Sequence, residues 1–356
     1  LNEPDMTERR KADHIEICST RDVLARYNYW DDIHLVHLAA PEIDHEQIEM
    51  ELRIFGKELA APIIISGMTG GSEKGENINR NLAKAASDLQ IGIGVGSQRA
   101  ALEKSSLSRS YEVLKDFDIP LKIANIGAPQ LVMADKRKQT VGILNDAMEM
   151  IDADLIAIHL NYLQEAVQPE GEKRAKGLLG LIRDLAIDFP ILIKETGAGL
   201  SPELIKTLAK MKIKGVDVGG AGGTSFSAVE YYRAQEIGDH RSARLGRTFW
   251  NWGIPTPVSA AIAAMSLQTI ATGGIRTGLD VARAIIVGAN CAGIANRLLM
   301  PALESYAAVE EELGEIIDEL RVAMFLTGSK NLKALSEQDP LVTGPTKDWL
   351  EHLAKV

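Results

Sequence analysis

The sequence has little cysteine: Cys18 and Cys291 are its two, far apart and without metal-type spacing. That excludes a disulfide framework and a cysteine-based zinc site, and it fits a reducing cytoplasm, the expected location. Long apolar runs are also missing. Those present are short and interrupted by glycine or charge, so no transmembrane helix is expected. The first residues, Leu1 to Arg10, are polar and charged, and no signal peptide is expected. Net positive charge is lacking as well. A formal charge of -10 argues against nucleic-acid and anionic-membrane partners, but leaves room for a local basic pocket that takes a phosphorylated substrate. Finally, no Gly-x-Gly-x-x-Gly opens a helix after the first strand, which disfavours a Rossmann cofactor site.

What is present reads as a soluble globular enzyme: 356 residues, 46% hydrophobic and 25% charged, enough to bury a large core. From residue 61, apolar strand-like runs alternate with amphipathic segments. The strands are expected at Pro62–Ser66, Ile91–Gly96, Leu121–Gly127, Leu155–Leu160, Pro190–Glu195, Gly215–Gly219, Gln268–Gly273 and Cys291–Ala295. Helices are expected between them at Glu76–Leu89, Gln130–Ile151, Lys176–Phe189, Pro202–Met211 and Leu279–Val287. Eight strand–helix units are the count of an α/β (β/α)8 TIM barrel, with a doubly wound open sheet as the fold alternative. Residues 1–60 form an N-terminal extension with a small hairpin, Ile48–Phe55 returning through Gly56-Lys57 to Glu58–Ala60; residues 61–356 form the barrel. The long insertion after strand six, Thr224 to Leu267, is expected to cover the barrel mouth. Leu303–Phe325 is expected to be the eighth helix, with a tail after Gly328.

Active sites of such barrels are built at the C-terminal ends of the strands. Those ends read Ser66-Gly67-Met68-Thr69-Gly70-Gly71, Gly96-Ser97-Gln98-Arg99, Asn125-Ile126-Gly127, and a cluster of His159, Asn161, Gln164 and Glu165. Lys194-Glu195-Thr196-Gly197, Gly219 to Thr224, Gly273-Gly274-Ile275-Arg276 and Ala295-Asn296-Arg297 follow. His159 and Asn161, two apart on a strand, are expected to point the same way. Several of these have a plain alternative: Ser66 to Gly71 as a tight turn, Gly219 to Gly223 as a flexible loop, the His159 cluster as a solvated strand end. Lys194, inside an apolar run, is either paired with a neighbouring carboxylate or aimed at an anion or a polarised ring atom. Arg9 to His14 is either a frayed terminus or a flap bringing cations to a diphosphate, with Arg99 completing the clamp. Taken together the strand ends describe a mononucleotide, its phosphate over the strand seven and eight loops beside Arg276 and its ring over strands one to five. A lysine at the N1–C2 edge suits FMN better than NAD.

Over essentially its whole length the chain resembles the type 2 isopentenyl diphosphate isomerases, FMN-dependent barrel enzymes. The resemblance rests on Arg10-Lys11-Ala12-Asp13-His14, the strand-end motifs above, and His159-Leu160-Asn161 with Gln164-Glu165 and Gln168-Pro169-Glu170-Gly171. Tyr162 stands where many relatives carry proline. The resemblance implies interconversion of isopentenyl and dimethylallyl diphosphate with reduced FMN and Mg²⁺, NADPH as the flavin reductant, and a homo-oligomer, tetramer or octamer. It implies that Arg10, Lys11, Ser97, Gln98, Arg99 and Gln164 contact substrate and that Glu165 holds the metal. Gly67, Met68, Thr69, Ser97, Asn125, Lys194, Thr224, Gly274, Arg276, Ala295 and Asn296 are implied to contact FMN. Gln164, His159 and Asn161 are the expected catalytic groups; proton transfer is expected near the flavin N5, with Gln164 and His159 positioning it. Two other readings compete: an FMN-dependent 2-hydroxy acid oxidase or dehydrogenase, and a non-catalytic FMN-binding scaffold. Against the oxidase, His240 is the one histidine after strands five to seven, and His159 has no adjacent arginine.

Overall fold

The computed structural model describes residues 3–134 and 137–353, with side chains from Arg10 onward. Eight parallel strands close into a barrel: β1 Ile63–Ile65, β2 Gly92–Gly94, β3 Leu121–Gly127, β4 Leu155–Leu160, β5 Ile191–Glu195, β6 Gly215–Asp217, β7 Thr269–Thr272 and β8 Cys291–Ile294. β8 pairs back onto β1, with Ala292 opposite Ile63 and Ile294 opposite Ile65. The sheet therefore has no open ends, and the doubly wound alternative falls. Each strand lies within two residues of its expected bounds.

The strands are continuous apolar runs because both faces are buried. Ile64, Ile123, Leu155, Ala157, Leu192, Ile270 and Cys291 fill the barrel interior. Their chain neighbours Ile63, Ile65, Ile156, Ile158, Ile191 and Ile193 face outward into the core shared with the helices. Each fully buried aliphatic side chain contributes about 1.5–3 kcal/mol relative to exposure. The expected hairpin forms from Leu52–Ile54 and Lys57–Leu59. Its Ile54 and Leu59 join the interior cluster, with Phe55 packed against it and the Phe55 N–H donating to the Gln268 side chain at 3.2 Å. The hairpin thus plugs the N-terminal end of the barrel, and function is left to the other end.

Several elements differ from expectation. The helix expected over Gln130–Ile151 appears as Ala128–Met133 and Arg137–Ile151, with residues 135 and 136 outside the described residues. The eighth helix is interrupted at Ser305, which is extended (φ −167°) and caps Tyr306–Leu326 by accepting from the Ala308 N–H, so the preceding turn Leu299–Glu304 is a separate helix. The insertion is three helices, Phe226–Glu236, His240–Thr248 and Thr256–Ala264; the last packs on β7 as the ordinary crossover, while the first packs against the N-terminal helix Glu3–Thr20. The tail is ordered too: Leu341–Val342 pairs with Ile33–His34, and Asp32, buried, accepts from the Thr346 N–H at 2.9 Å.

Candidate active site

Strand alternation builds the floor of the site. Two residues above the apolar interior layer, the inward positions turn polar: Ile64 gives way to Ser66, Ile123 to Asn125, Ala157 to His159, Leu192 to Lys194 and Ile270 to Thr272. His159, Lys194 and Asp217 stand in register on neighbouring strands. Lys194 Nζ donates to Asp217 Oδ2 at 2.6 Å, both side chains nearly buried. Asn125 spans β2 to β4, donating to the Val95 carbonyl at 2.9 Å and presenting Oδ1 to His159 Nδ1 at 2.8 Å. Burial, reinforced by the charges of Lys194, Lys11 and Arg10, lowers His159 to about 3. Its imidazole is neutral at physiological pH and Nδ1 carries the proton donated to Asn125. Ser66 and Thr272 share a hydroxyl contact at 2.9 Å across Gly293, where a methyl would stand 1.8 Å from Thr272 Oγ1.

The loop after β4 supplies the wall. The strand ends at Leu160, and Asn161 (φ −104°, ψ 35°) starts the helix Tyr162–Val167 instead of continuing the strand. The strand that carries His159 therefore ends one residue before Asn161, and the chain turns into a helix from there. On a helical turn, positions three and four on share a face. Asn161 Nδ2 accordingly donates to Gln164 Oε1 at 3.2 Å and to Glu165 Oε1 at 3.0 Å. Glu165 Oε2 accepts from Gln168 Nε2 and from the Glu172 N–H, both at 2.7 Å. Asn161 Oδ1 and Gln168 Oε1 are buried and unpartnered.

The structure adds a residue the sequence reading missed. Glu230, without exposed surface on the helix Phe226–Glu236, accepts from Gln164 Nε2 at 3.0 Å, meets His14 Nε2 at 2.9 Å, and accepts from Arg233 at 3.1 Å. Although burial opposes ionisation, His14, Arg233 and Gln164 hold it down at about 2. A glutamate directly after the apolar pair Ala228-Val229 was the available signal.

On the N-terminal side, Lys11 donates to the Gly70 carbonyl at 2.9 Å, the Ser97 carbonyl at 2.6 Å and the Tyr111 hydroxyl. Burial, then the Arg10 charge, lowers it to about 7. Arg99 pairs with Glu103 at 2.6 Å. The flap reading of this segment gains a helix, and Arg9's side chain lies outside the described residues. Gln98 departs from expectation. Its side chain is fully buried, donating to the Ala147 carbonyl at 2.8 Å and accepting from the Asn125 N–H at 2.9 Å, so it braces backbone and has no surface left for substrate. Arg276, on the loop after β7, pairs its guanidinium with Asp31 at 2.5 Å and Asp280 at 3.1 Å.

The remaining positions cluster at the mouth. Gly67 lies so close to β2 that a methyl would stand 2.1 Å from the Val95 carbonyl oxygen. Met68 is half-buried against the core, and Thr69, buried, receives the Gly96 N–H at 3.0 Å. The glycine loops after β6 and β7 touch: a methyl on Gly223 would meet the Gly274 nitrogen at 2.4 Å. Across them runs the segment before β1, with Leu24 bridging Thr224, Asn28 donating to the Gly274 carbonyl at 2.7 Å, and Trp30 Nε1 to the Gly273 carbonyl at 2.9 Å. Ala295 and Asn296, half-buried, open the single turn Asn296–Leu298 after β8.

Comparison with known proteins fits this layout. Isopentenyl-diphosphate delta-isomerases are similar throughout: that of Methanothrix thermoacetophila is 46% identical over 97% of this chain and 96% of its own length. That of Thermoplasma volcanium is 44% identical over 97% and 100%. The chain belongs to this isomerase family. Residues 186–341, from just before β5 to past β8, also match the FMN-dependent dehydrogenase family. Among solved structures, a flavocytochrome b2 variant superposes with a TM-score of 0.64 at 16% identity, covering 94% of this chain and 83% of that one. A mandelate oxidase variant with a monooxide FMN adduct gives 0.60 at 15%, covering 90% and 91%. At such identities these two show the barrel alone.

The residues fit a flavin. A lysine and an asparagine amide rise from the floor of a narrow cavity, next to glycine loops in which a Cβ would clash with backbone. They fit a hard divalent ion too, since the unpartnered amide oxygens of Asn161 and Gln168 beside Glu165 are the ligand type such an ion takes. Among the described residues no three His, Cys, Asp or Glu converge.

Proposed function

We propose that this chain interconverts isopentenyl and dimethylallyl diphosphate by a 1,3-allylic proton shift, with reduced FMN at the barrel mouth, Mg²⁺ on the diphosphate and NADPH as the flavin reductant. The observation that carries the proposal is the buried Asn161–Gln164–Glu165–Gln168 network facing the polar floor. When bound, the electron-rich reduced flavin supplies electrostatic stabilisation to a tertiary cation-like transition state. Glu165 contributes a carboxylate pre-set by three donors, and the free amide oxygens of Asn161 and Gln168 stand ready beside it for the metal. Lys11, Arg10 and Arg99 supply the cationic side of the diphosphate pocket. Gln164 is a poor base; its amide is oriented by Asn161 at Oε1 and by ionised Glu230 at Nε2, so it positions a proton without titrating. His159, neutral and tied to Asn125, positions the floor. Met68, Thr69, Asn125, Lys194, Thr224, Gly274, Ala295 and Asn296 would surround the cofactor, and Arg276 would reach its phosphate after exchanging Asp31.

The same reading makes the protein a cytoplasmic homo-oligomer, a tetramer or octamer. An exposed apolar patch supports self-association: Val36 and Leu38 lie beside Leu326 and Leu341, the Leu38 N–H donating to the Leu326 carbonyl at 2.8 Å. No helix among the described residues is long and apolar enough to cross a membrane.

The test is an isomerisation assay with reduced FMN and Mg²⁺ on the wild type, Glu165→Gln and Gln164→Asn. Glu165→Gln is expected to lower kcat/KM by about 100-fold or more and to raise the Mg²⁺ requirement. Activity that ignores both substitutions would remove the site assignment.

A further inference from the structure

The charge balance of the barrel floor carries a consequence for the cofactor. Among the described residues the charged side chains of this layer are Lys194 and Asp217, in contact at 2.6 Å. Asp217 Oδ1 also receives the Gly219 N–H at 3.4 Å, which fixes the carboxylate at the strand end. The third titratable member of the layer, His159, has its Nδ1 at 2.8 Å from Asn125 Oδ1 and no hydrogen bond to the pair. A lone ammonium under a flavin draws negative charge onto the reduced ring. An ammonium in contact with a carboxylate inside a poorly polarisable interior presents a short-range dipole instead of a net charge.

We infer that Asp217 is a positioning residue that offsets Lys194 and thereby limits how strongly the site favours reduced, anionic flavin over oxidised flavin. This deepens the functional reading and rests on it. A dehydrogenase needs its flavin to accept a hydride and then pass the electrons on. A proton-shift enzyme ends each turnover with the electrons where they began, and a floor without net charge suits that task. The sequence left a carboxylate partner for Lys194 open without naming it, because Asp217 lies beyond a whole helix from Lys194 and meets it only through the register of β5 and β6.

The experiment measures dissociation constants for oxidised and dithionite-reduced FMN, with the midpoint potential, in the wild type, Asp217→Asn, Lys194→Met and the double variant. Asp217→Asn is expected to tighten reduced relative to oxidised FMN by about tenfold, which corresponds to a rise of about 30 mV in the two-electron potential. Lys194→Met is expected to shift the ratio the other way, and the double variant to return within about twofold of wild type. Should Asp217→Asn not fold with its lysine unpaired, the opposite shift in Lys194→Met and its reversal in the double variant still decide the matter. Single variants that shift the ratio in the same direction, or by less than about twofold, would overturn the inference while leaving FMN binding intact. A wild type that binds no FMN would overturn the functional reading and this inference together.

Discussion

Glu230 and His159 tie the site's chemistry to acid stability. Glu230 is lowered from 4.5 to about 2 and His159 from 6.5 to about 3. Both folded values lie below the unfolded ones, so both contributions are complete above the unfolded value and are lost as pH falls toward the folded one. His159 therefore begins to destabilise the fold below about pH 6.5, and Glu230 joins it below about 4.5. Urea denaturation is expected to show about 2 kcal/mol less stability near pH 5 than near pH 7.5 from His159 alone, and His159→Gln should flatten that slope. An equal slope in the variant would refute the assignment. Gln98 makes a different prediction. With both amide ends on backbone, Gln98→Leu should cost about 1–3 kcal/mol in denaturation while leaving the KM for isopentenyl diphosphate unchanged. A raised KM at unchanged stability would return Gln98 to the substrate pocket.

At the scale of elements, the segment Tyr27–Asp32 is held on the loop after β7 by two side-chain donors, Asn28 and Trp30. Trp30→Phe removes one and should weaken FMN binding several-fold, at a cost near 1 kcal/mol for the lost hydrogen bond. Fluorescence titration of FMN checks it, and an unchanged Kd would separate this segment from the cofactor loops. Such long-range clamps mark the limit of what the chain reveals by reading alone. The strands were legible because a short continuous apolar run between amphipathic segments is a local signal, and the polar residues that end each run are adjacent to it in sequence. Asn161, Gln164 and Glu165 were legible as a polar cluster at a strand end, but the helical turn that joins them was not. The pairing of Arg276 with Asp31 was not legible because the two lie 245 residues apart. The N-terminal helix was missed because its buried residues, Ile15 and Ile17, find their partners in the distant insertion and the barrel wall. Glu230 was missed for the same reason: its burial arises from helix packing, not from any neighbour in sequence.

Across the whole molecule, a hairpin stoppers one end of the barrel, and the N-terminal helix, the insertion and the β4 loop gather their polar groups at the other. The exposed patch around Val36, Leu38, Leu326 and Leu341 predicts an assembly in solution: light scattering should give a multiple of the 38.6 kDa chain mass, and Leu38→Glu should reduce it. A monomer at micromolar concentration would contradict that. The central claim, a proton shift with no net redox change at a flavin-binding barrel, is tested most directly by counting electrons against turnovers. Anaerobic enzyme carrying prereduced FMN and Mg²⁺ is given isopentenyl diphosphate while flavin absorbance and product are followed together. The prediction is many equivalents of dimethylallyl diphosphate per flavin, no change in the reduced spectrum, and no product from oxidised FMN without reductant. Flavin oxidation in proportion to product, or equal turnover with oxidised FMN, would contradict it.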